Sequence, residues 1–166
     1  MPPHGRGPSR VRPVVRLPPF QSLIDEHARD LRRFLVACVG PVDADDCLQE
    51  TLISALRAYP RLTSDQNLRG WLVRIARNKA LDHHRRRREQ PMADLPERGD
   101  PPPELPDGEL WEAVRDLAPK QRAAVAMRFV LDASHAEIAA ALECSEPAAR
   151  RSLADGLANL RRSYVP

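Results

Sequence analysis

From Phe20 onward apolar side chains recur every third or fourth residue, and the chain reads as a succession of helices. Phe20, Leu23, Ile24, His27, Leu31, Phe34, Leu35 and Cys38 share one face of a long helix, which Gly40-Pro41 stops. Asp43 is placed to cap a second helix that buries Leu48, Leu52, Leu56 and Tyr59 and ends at Pro60. A polar loop over 64–67 follows. Leu68, Trp71, Leu72, Ile75 and Ala76 then mark the inner face of a third helix, which closes on four consecutive arginines. No apolar period survives over 89–109, where seven acids, one Arg and six prolines read as an extended linker. Beyond it, Leu110, Trp111, Val114 and Leu117 predict a short helix, and Pro119 opens another running to about Val130. Ser134 and Glu137 have the spacing of a capping box, so a helix burying Ile138, Ala139 and Leu142 begins there. Ser145 caps a last helix that keeps Ala149, Leu153, Leu157 and Leu160 inward and tolerates Pro147 in its first turn. The fold class is therefore all-α, with two small helical domains, 20–88 and 109–163, joined by a Pro- and acid-rich linker over 89–108.

Composition adds limits. Seventeen prolines and only two Trp, two Tyr and three Phe leave little large-ring core. Residues 1–19, rich in Pro, Arg and Gly, read as a disordered basic tail, and a start codon assigned too early accounts for them equally well. No run of apolar residues is long enough to enter a membrane as a span, and the N-terminus has no secretory apolar core, which places the protein in the cytoplasm. Cys38, Cys47 and Cys144 are scattered, with no CxxC, and read as reduced thiols rather than a disulfide framework or a zinc site. His27, on an apolar face, reads as a satisfied core residue. There is no Gly-rich phosphate loop, no HExxH and no Ser or Cys in a nucleophile setting. His135-Ala136-Glu137 lacks the PCxxC partner of a zinc deaminase. The reading is of a protein that is no enzyme and needs no metal or cofactor. Net charge is only +3, but it is segregated: four arginines and no acid in residues 1–18, a basic 69–88 and an acidic 89–109. Blocks of this kind point to an anionic partner at particular places.

Three stretches carry candidate chemistry. On the third helix Arg74, Asn78, Asp82 and Arg85 share a polar face. Trp71, Arg74, Arg77 and Asn78 offer a stacking ring, two forked cations and a base-edge amide, with Arg85, Arg86, Arg87 and Arg88 beyond them. Those group types hold and read nucleic acid; a solvated charged face fits them as well. Asp45, Asp46, Gln49 and Glu50 cluster early on the second helix. There, first-turn acids favouring the helix dipole, a metal site and a protein-docking surface are all open, the metal reading weakened by the absence of nearby histidine. The capped pair near the C-terminus has the plan of a helix-turn-helix, with Glu146, Ala148, Arg150 and Arg151 at the base-reading end of the second helix; an ordinary helical hairpin has the same spacing.

The strings DADDCLQETLISALRAY (43–59), LRGWLVRIARNKALDHHRRRR (68–88) and LAPKQRAAVAMRFVLDASHAEIAAALECSEPAARRSLADGLANLRR (117–162), in this order, resemble the extracytoplasmic-function sigma factors of bacterial RNA polymerase. The resemblance implies a first domain, region 2, that docks on core RNA polymerase and opens the −10 element, and a second, region 4, that reads the −35 element of promoter DNA. By position, Asp45, Asp46, Gln49 and Glu50 fall on core-polymerase contacts. Trp71, Arg74, Arg77 and Asn78 fall on −10 recognition and melting, and Arg85, Arg86, Arg87 and Arg88 on phosphate. Glu146, Ala148, Arg150 and Arg151 fall on −35 reading. Members of the family are often held inactive by an anti-sigma factor, and such a partner is implied here. The alternative is a helix-turn-helix regulator that acts without joining polymerase. The chain departs from the family pattern at Ser152 and Asp155, where basic residues are usual, and Pro147 and Gly156 are poor helix formers. Weakened or altered −35 reading is the expectation.

Overall fold

A computed structural model describes residues 15–90 and 108–164. Its α-helices are α1 (Phe20–Val39), α2 (Pro41–Ala58), α3 (Leu68–Glu89), α4 (Gly108–Arg115), α5 (Pro119–Val130), α6 (His135–Leu142) and α7 (Glu146–Ser163), with a 3-10 turn at Tyr59–Arg61. No strand occurs among the described residues, so the chain is all-α as its apolar periods predict. The predicted linker falls mostly outside the described residues, as do residues 1–14 of the predicted tail. Of that tail, residues 15–19 are described. Leu17 packs against the core, and the Tyr59 hydroxyl donates to the Pro18 carbonyl.

The junction of α1 and α2 is a single residue wide. Gly40 sits at φ 88°, a left-handed conformation that a side chain would strain, and its N–H closes α1 on the Val36 carbonyl at 2.9 Å. Pro41, whose φ is already helical and whose missing N–H costs nothing there, starts α2 at once. This corrects the expectation for Asp43. The helix begins before it, so its carboxylate lies in the first turn and makes no cap. The predicted inner face of α2 is also rotated. Ala44, Cys47, Thr51 and Ala55 form the buried stripe, small enough for close approach to α1 and α3. Leu48 and Leu52 flank it half-buried, and Leu56 is 54% exposed. Thr51 Oγ1 donates to the Cys47 carbonyl at 2.7 Å, so the one buried hydroxyl of this stripe is satisfied.

Helix α3 starts from Asn67, itself left-handed at φ 53°, whose Oδ1 accepts from the Gly70 N–H at 3.1 Å. A Cβ at Gly70 would lie 2.4 Å from the Asn67 amide nitrogen, so this cap needs a glycine three residues on. The C-terminal helices follow the predicted bounds closely. Ser134 and Glu137 form the full capping box, at 3.1 and 2.7 Å, and Ser145 accepts from the Ala148 N–H at 3.3 Å. Glu143 turns the chain at φ 53°. α5 and α7 cross where Gly156 is buried. A Cβ there would stand 3.0 Å from Val125 Cγ2 and 3.4 Å from the Gln121 carbonyl oxygen, which explains a glycine that helix propensity alone disfavours.

The two helical units do not keep separate cores. α1 packs on α4 and α5, and α3 packs on α6, so buried apolar residues run continuously from Leu23 to Leu160. Cations stitch the junction. Arg69 Nη2 donates to the Leu131 carbonyl at 2.6 Å, and Arg115 Nη1 to the Val36 carbonyl at 3.5 Å. Arg122 is only 6% exposed; it donates to the Leu117 carbonyl at 2.9 Å and faces the end of α1 at Cys38.

Candidate nucleic-acid interface

The polar face predicted on α3 is real: Arg74, Asn78, Asp82 and Arg85 are all exposed. The other members of the group differ in setting. Trp71 is half-buried, its ring 6.1 Å from Tyr59, which in turn lies 5.1 Å from Phe20, so only part of the indole is free to stack on a base. Arg77 is half-buried, with Nε enclosed and without a hydrogen-bond partner among the described residues. Arg74 Nη1 stands 3.6 Å from Glu143 Oε1, a contact between α3 and the turn of the helix-turn-helix.

The closing arginines diverge because successive residues on a helix turn by about 100°. Arg85 and Arg88 fall on the side of Arg74, Arg77 and Asn78, whereas Arg86 and Arg87 turn toward α2. There Arg86 Nη2 reaches both Glu50 oxygens, at 3.4 and 3.2 Å, and Arg87 Nη1 reaches Asp43 at 3.0 Å. Glu50 correspondingly raises the Arg86 pKa, through the hydrogen bond first and its charge second. His83 Nε2 also lies 3.2 Å from Asp43, and Arg32 Nε donates to Asp45 at 2.8 Å. Of the predicted docking residues, Asp45 and Glu50 are thus paired within the chain. Asp46 and Gln49 are exposed with no polar partner among the described residues.

Three residues of this face escape a reading by charge alone. Val42, Ile53 and Leu56 are exposed at 49%, 44% and 54%, and with Gln49 they recur at helical spacing along the outer side of α2. That spacing is visible in the sequence; the leucines of the half-buried flank disguised it. Beneath the face, burial pushes the Cys47 thiol up to about 11 and the Cys38 thiol up to about 12, so both are protonated and poor nucleophiles.

On α7, Glu146, Arg150, Arg151 and Asp155 are exposed, and Ala148 is half-buried. Arg150 Nη2 is held by Glu146 Oε1 at 2.7 Å, one helical turn away. Arg151 has no such anchor among the described residues. Ser152 is half-buried, so its departure from the usual basic residue lies at the edge of the exposed stripe, while that of Asp155 lies within it. No group of three or more His, Cys, Asp or Glu residues placed to hold a metal occurs among the described residues, and no described helix is long and apolar enough to cross a membrane.

Known proteins resemble the chain over both helical units. Sigma-70 region 2 matches residues 23–90, and sigma-70, region 4, matches residues 107–160. The ECF RNA polymerase sigma factor SigC of Mycobacterium tuberculosis is 32% identical over 136 residues, covering 75% of this chain and 72% of that protein. The ECF RNA polymerase sigma factor SigX of Bacillus subtilis is 29% identical over 159 residues, covering 86% and 82%. Among solved structures, the sigma factor RpoE of Bartonella quintana, determined in complex with the anti-sigma factor NepR, matches with a TM-score of 0.69 at 22% identity, covering 86% of this chain and 94% of that one.

Proposed function

Because this chain belongs to the extracytoplasmic-function sigma factors of bacterial RNA polymerase, we propose a division of labour among its surfaces. The outer face of α2, with Asp45, Asp46, Gln49 and Glu50, docks on core polymerase. The exposed face of α3 holds the −10 element, and the start of α7 reads the −35 element. The observation that carries this is the adjacency of two unlike faces on one unit: the acids of α2 lie beside, and do not overlap, the Arg74, Asn78 and Arg85 face of α3.

Melting a promoter costs a few kcal/mol for each base unstacked, which the factor offsets by holding the exposed bases. Trp71 supplies the exposed part of its ring face for stacking, Arg74 and Arg77 the cations, and Asn78 an amide that matches a base edge. Arg85 and Arg88 hold phosphate, each adding sequence-blind, salt-dependent affinity. On α7, Glu146 fixes the fork of Arg150, while Arg151 is free to reach a guanine edge. A bidentate contact of that kind is worth about 1–3 kcal/mol of discrimination. RNA synthesis itself belongs to the polymerase; this chain supplies recognition and opening, in the cytoplasm where the polymerase works. An anti-sigma factor covering α3 and α7 is the natural inhibitor of such a layout, since those helices carry both DNA faces.

The test is promoter-dependent transcription by sigma-free core polymerase with genomic DNA fragments as template. Discrete transcripts that appear only when the chain is added support the reading. A chain that adds no transcripts but binds duplex DNA as a dimer on paired half-sites is instead an operator-binding regulator.

A further inference from the structure

The four arginines that end α3 divide between two faces, and two of them meet acids of α2: Arg86 the docking residue Glu50, and Arg87 its neighbour Asp43. We propose that Arg86 and Arg87 belong to the polymerase-docking face and not to the DNA face, as built-in counter-ions that mask Glu50 and Asp43 until a cationic partner displaces them. This rests on the docking role given to α2 above.

Three observations carry it. First, helical geometry turns Arg86 and Arg87 away from Arg74, Asn78 and Arg85, so a duplex lying along that side of α3 is within reach of Arg85 and Arg88 instead. Second, both are already engaged: Arg86 forks onto the two oxygens of Glu50, and Arg87 reaches Asp43 at 3.0 Å. Third, the arginines stand half in water, with side-chain exposures of 56% for Arg86 against 41% for Glu50 and 52% for Arg87 against 25% for Asp43, whose carboxylate His83 Nε2 also approaches at 3.2 Å. Exposed pairs of this kind are weak and open easily. A surface that docks through carboxylates selects a partner bearing cations. The chain's own arginines compete for the same oxygens, so they lower the affinity of the free factor for anything basic and reward a partner able to replace both at once. Asp46 and Gln49, unpaired among the described residues, are then the first contacts, and Glu50 and Asp43 are recruited as docking tightens.

The test uses the full chain, sigma-free core polymerase and promoter DNA. The Arg86→Ala/Arg87→Ala variant should bind core polymerase roughly two- to twenty-five-fold more tightly than wild type at low salt, up to about fivefold for each pair that no longer has to be displaced. The gain should shrink as salt rises. Its holoenzyme should keep the wild-type salt slope on promoter DNA, whereas Arg85→Ala/Arg88→Ala should lower that slope by about two and leave core affinity unchanged. Arg86→Lys/Arg87→Lys retains both charges and should stay near wild type, which ties the effect to charge and not to folding. Core affinity that is equal or weaker in the double alanine variant overturns the proposal, and so does a slope lowered by about two. Failure of the wild type itself to bind core polymerase refutes the docking role instead, and the slope of the free chain on duplex DNA still decides which arginines touch phosphate.

Discussion

His84 illustrates how a single side chain ties pH to this fold. Its Nε2 lies 2.9 Å from the Cys38 carbonyl, so the neutral ring can donate to the open end of α1. Burial first, and then the Arg122 charge, hold its pKa down to about 4, from an ordinary 6.5, against the opposing pull of that hydrogen bond. The unfolded chain therefore takes up a proton between those values that the folded chain refuses. Stability is full above pH 6.5 and drains as the pH falls toward 4. Denaturant melts at pH 7, 6 and 5 should show the decline. His84→Gln, which keeps a donor and cannot titrate, should flatten it, and equal slopes in the two proteins would contradict the assignment. Glu137, lowered by its backbone bond to Ser134, loses its contribution only as the pH falls through the ordinary carboxylate value of 4.5, below the pH of these melts. The cap at Asn67 makes a second residue-scale prediction. Gly70→Ala displaces the Asn67 amide, and the lost cap, worth about 1 kcal/mol, offsets the helix propensity that alanine gains, so a thermal melt should show no stabilisation, whereas a clear rise would contradict the cap. Local devices differed in how openly the sequence displayed them. Ser134 and Glu137 are readable because both partners lie within one turn, whereas the pairing of Asp43 with Arg87 spans 44 residues and has no local signature.

At the scale of elements, helix positions followed from periodicity, but the orientation of α2 did not. Its leucines at 48, 52 and 56 suggest an inner stripe, yet the helix turns its small residues inward because α1 and α3 approach closely there. Large side chains mark a core only when the neighbours leave room for them; here the room is scarce, and Leu56 joins Ile53 on the outside. The crossing of α5 and α7 obeys the same rule. Gly156→Leu would drive a side chain into Val125 and the Gln121 backbone, and it should destabilise the protein by about 1–3 kcal/mol in a denaturant titration. The glycine is thus a packing requirement of α7, and the altered −35 reading expected from the sequence narrows to Asp155, which is exposed on the stripe that carries Arg151. Asp155→Arg should tighten binding to upstream promoter DNA in a gel-shift titration; an unchanged midpoint would remove Asp155 from the DNA face.

For the whole molecule, the sequence foretold two helical units and missed their union. Nothing in the apolar pattern announces that α1 will meet α5, or that Arg69 and Arg115 will reach carbonyls of the opposite unit, because those contacts join residues 62 and 79 positions apart. The union bears directly on function. Promoter elements at −10 and −35 lie roughly 25 base pairs apart, which at about 3.4 Å per step is on the order of 85 Å along the duplex. Packed helices stand only about 8–10 Å apart. The −10 role proposed for α3 and the −35 role proposed for α7 therefore require the junction of α3 with α6, where Arg74 meets Glu143, to open before both elements are read at once. A donor fluorophore on α2 and an acceptor on α7 should therefore lose energy transfer when core polymerase binds, and an unchanged transfer efficiency would mean that the compact form reads DNA by one unit alone. The central claim, that α2 joins this chain to polymerase, is tested most directly by size-exclusion co-elution with sigma-free core RNA polymerase, using the wild type and a variant with Asp45, Gln49 and Glu50 changed to alanine. The wild type should travel with polymerase and the variant should elute alone. A variant that still co-elutes would contradict the docking face, and a wild type that ignores polymerase would contradict the function.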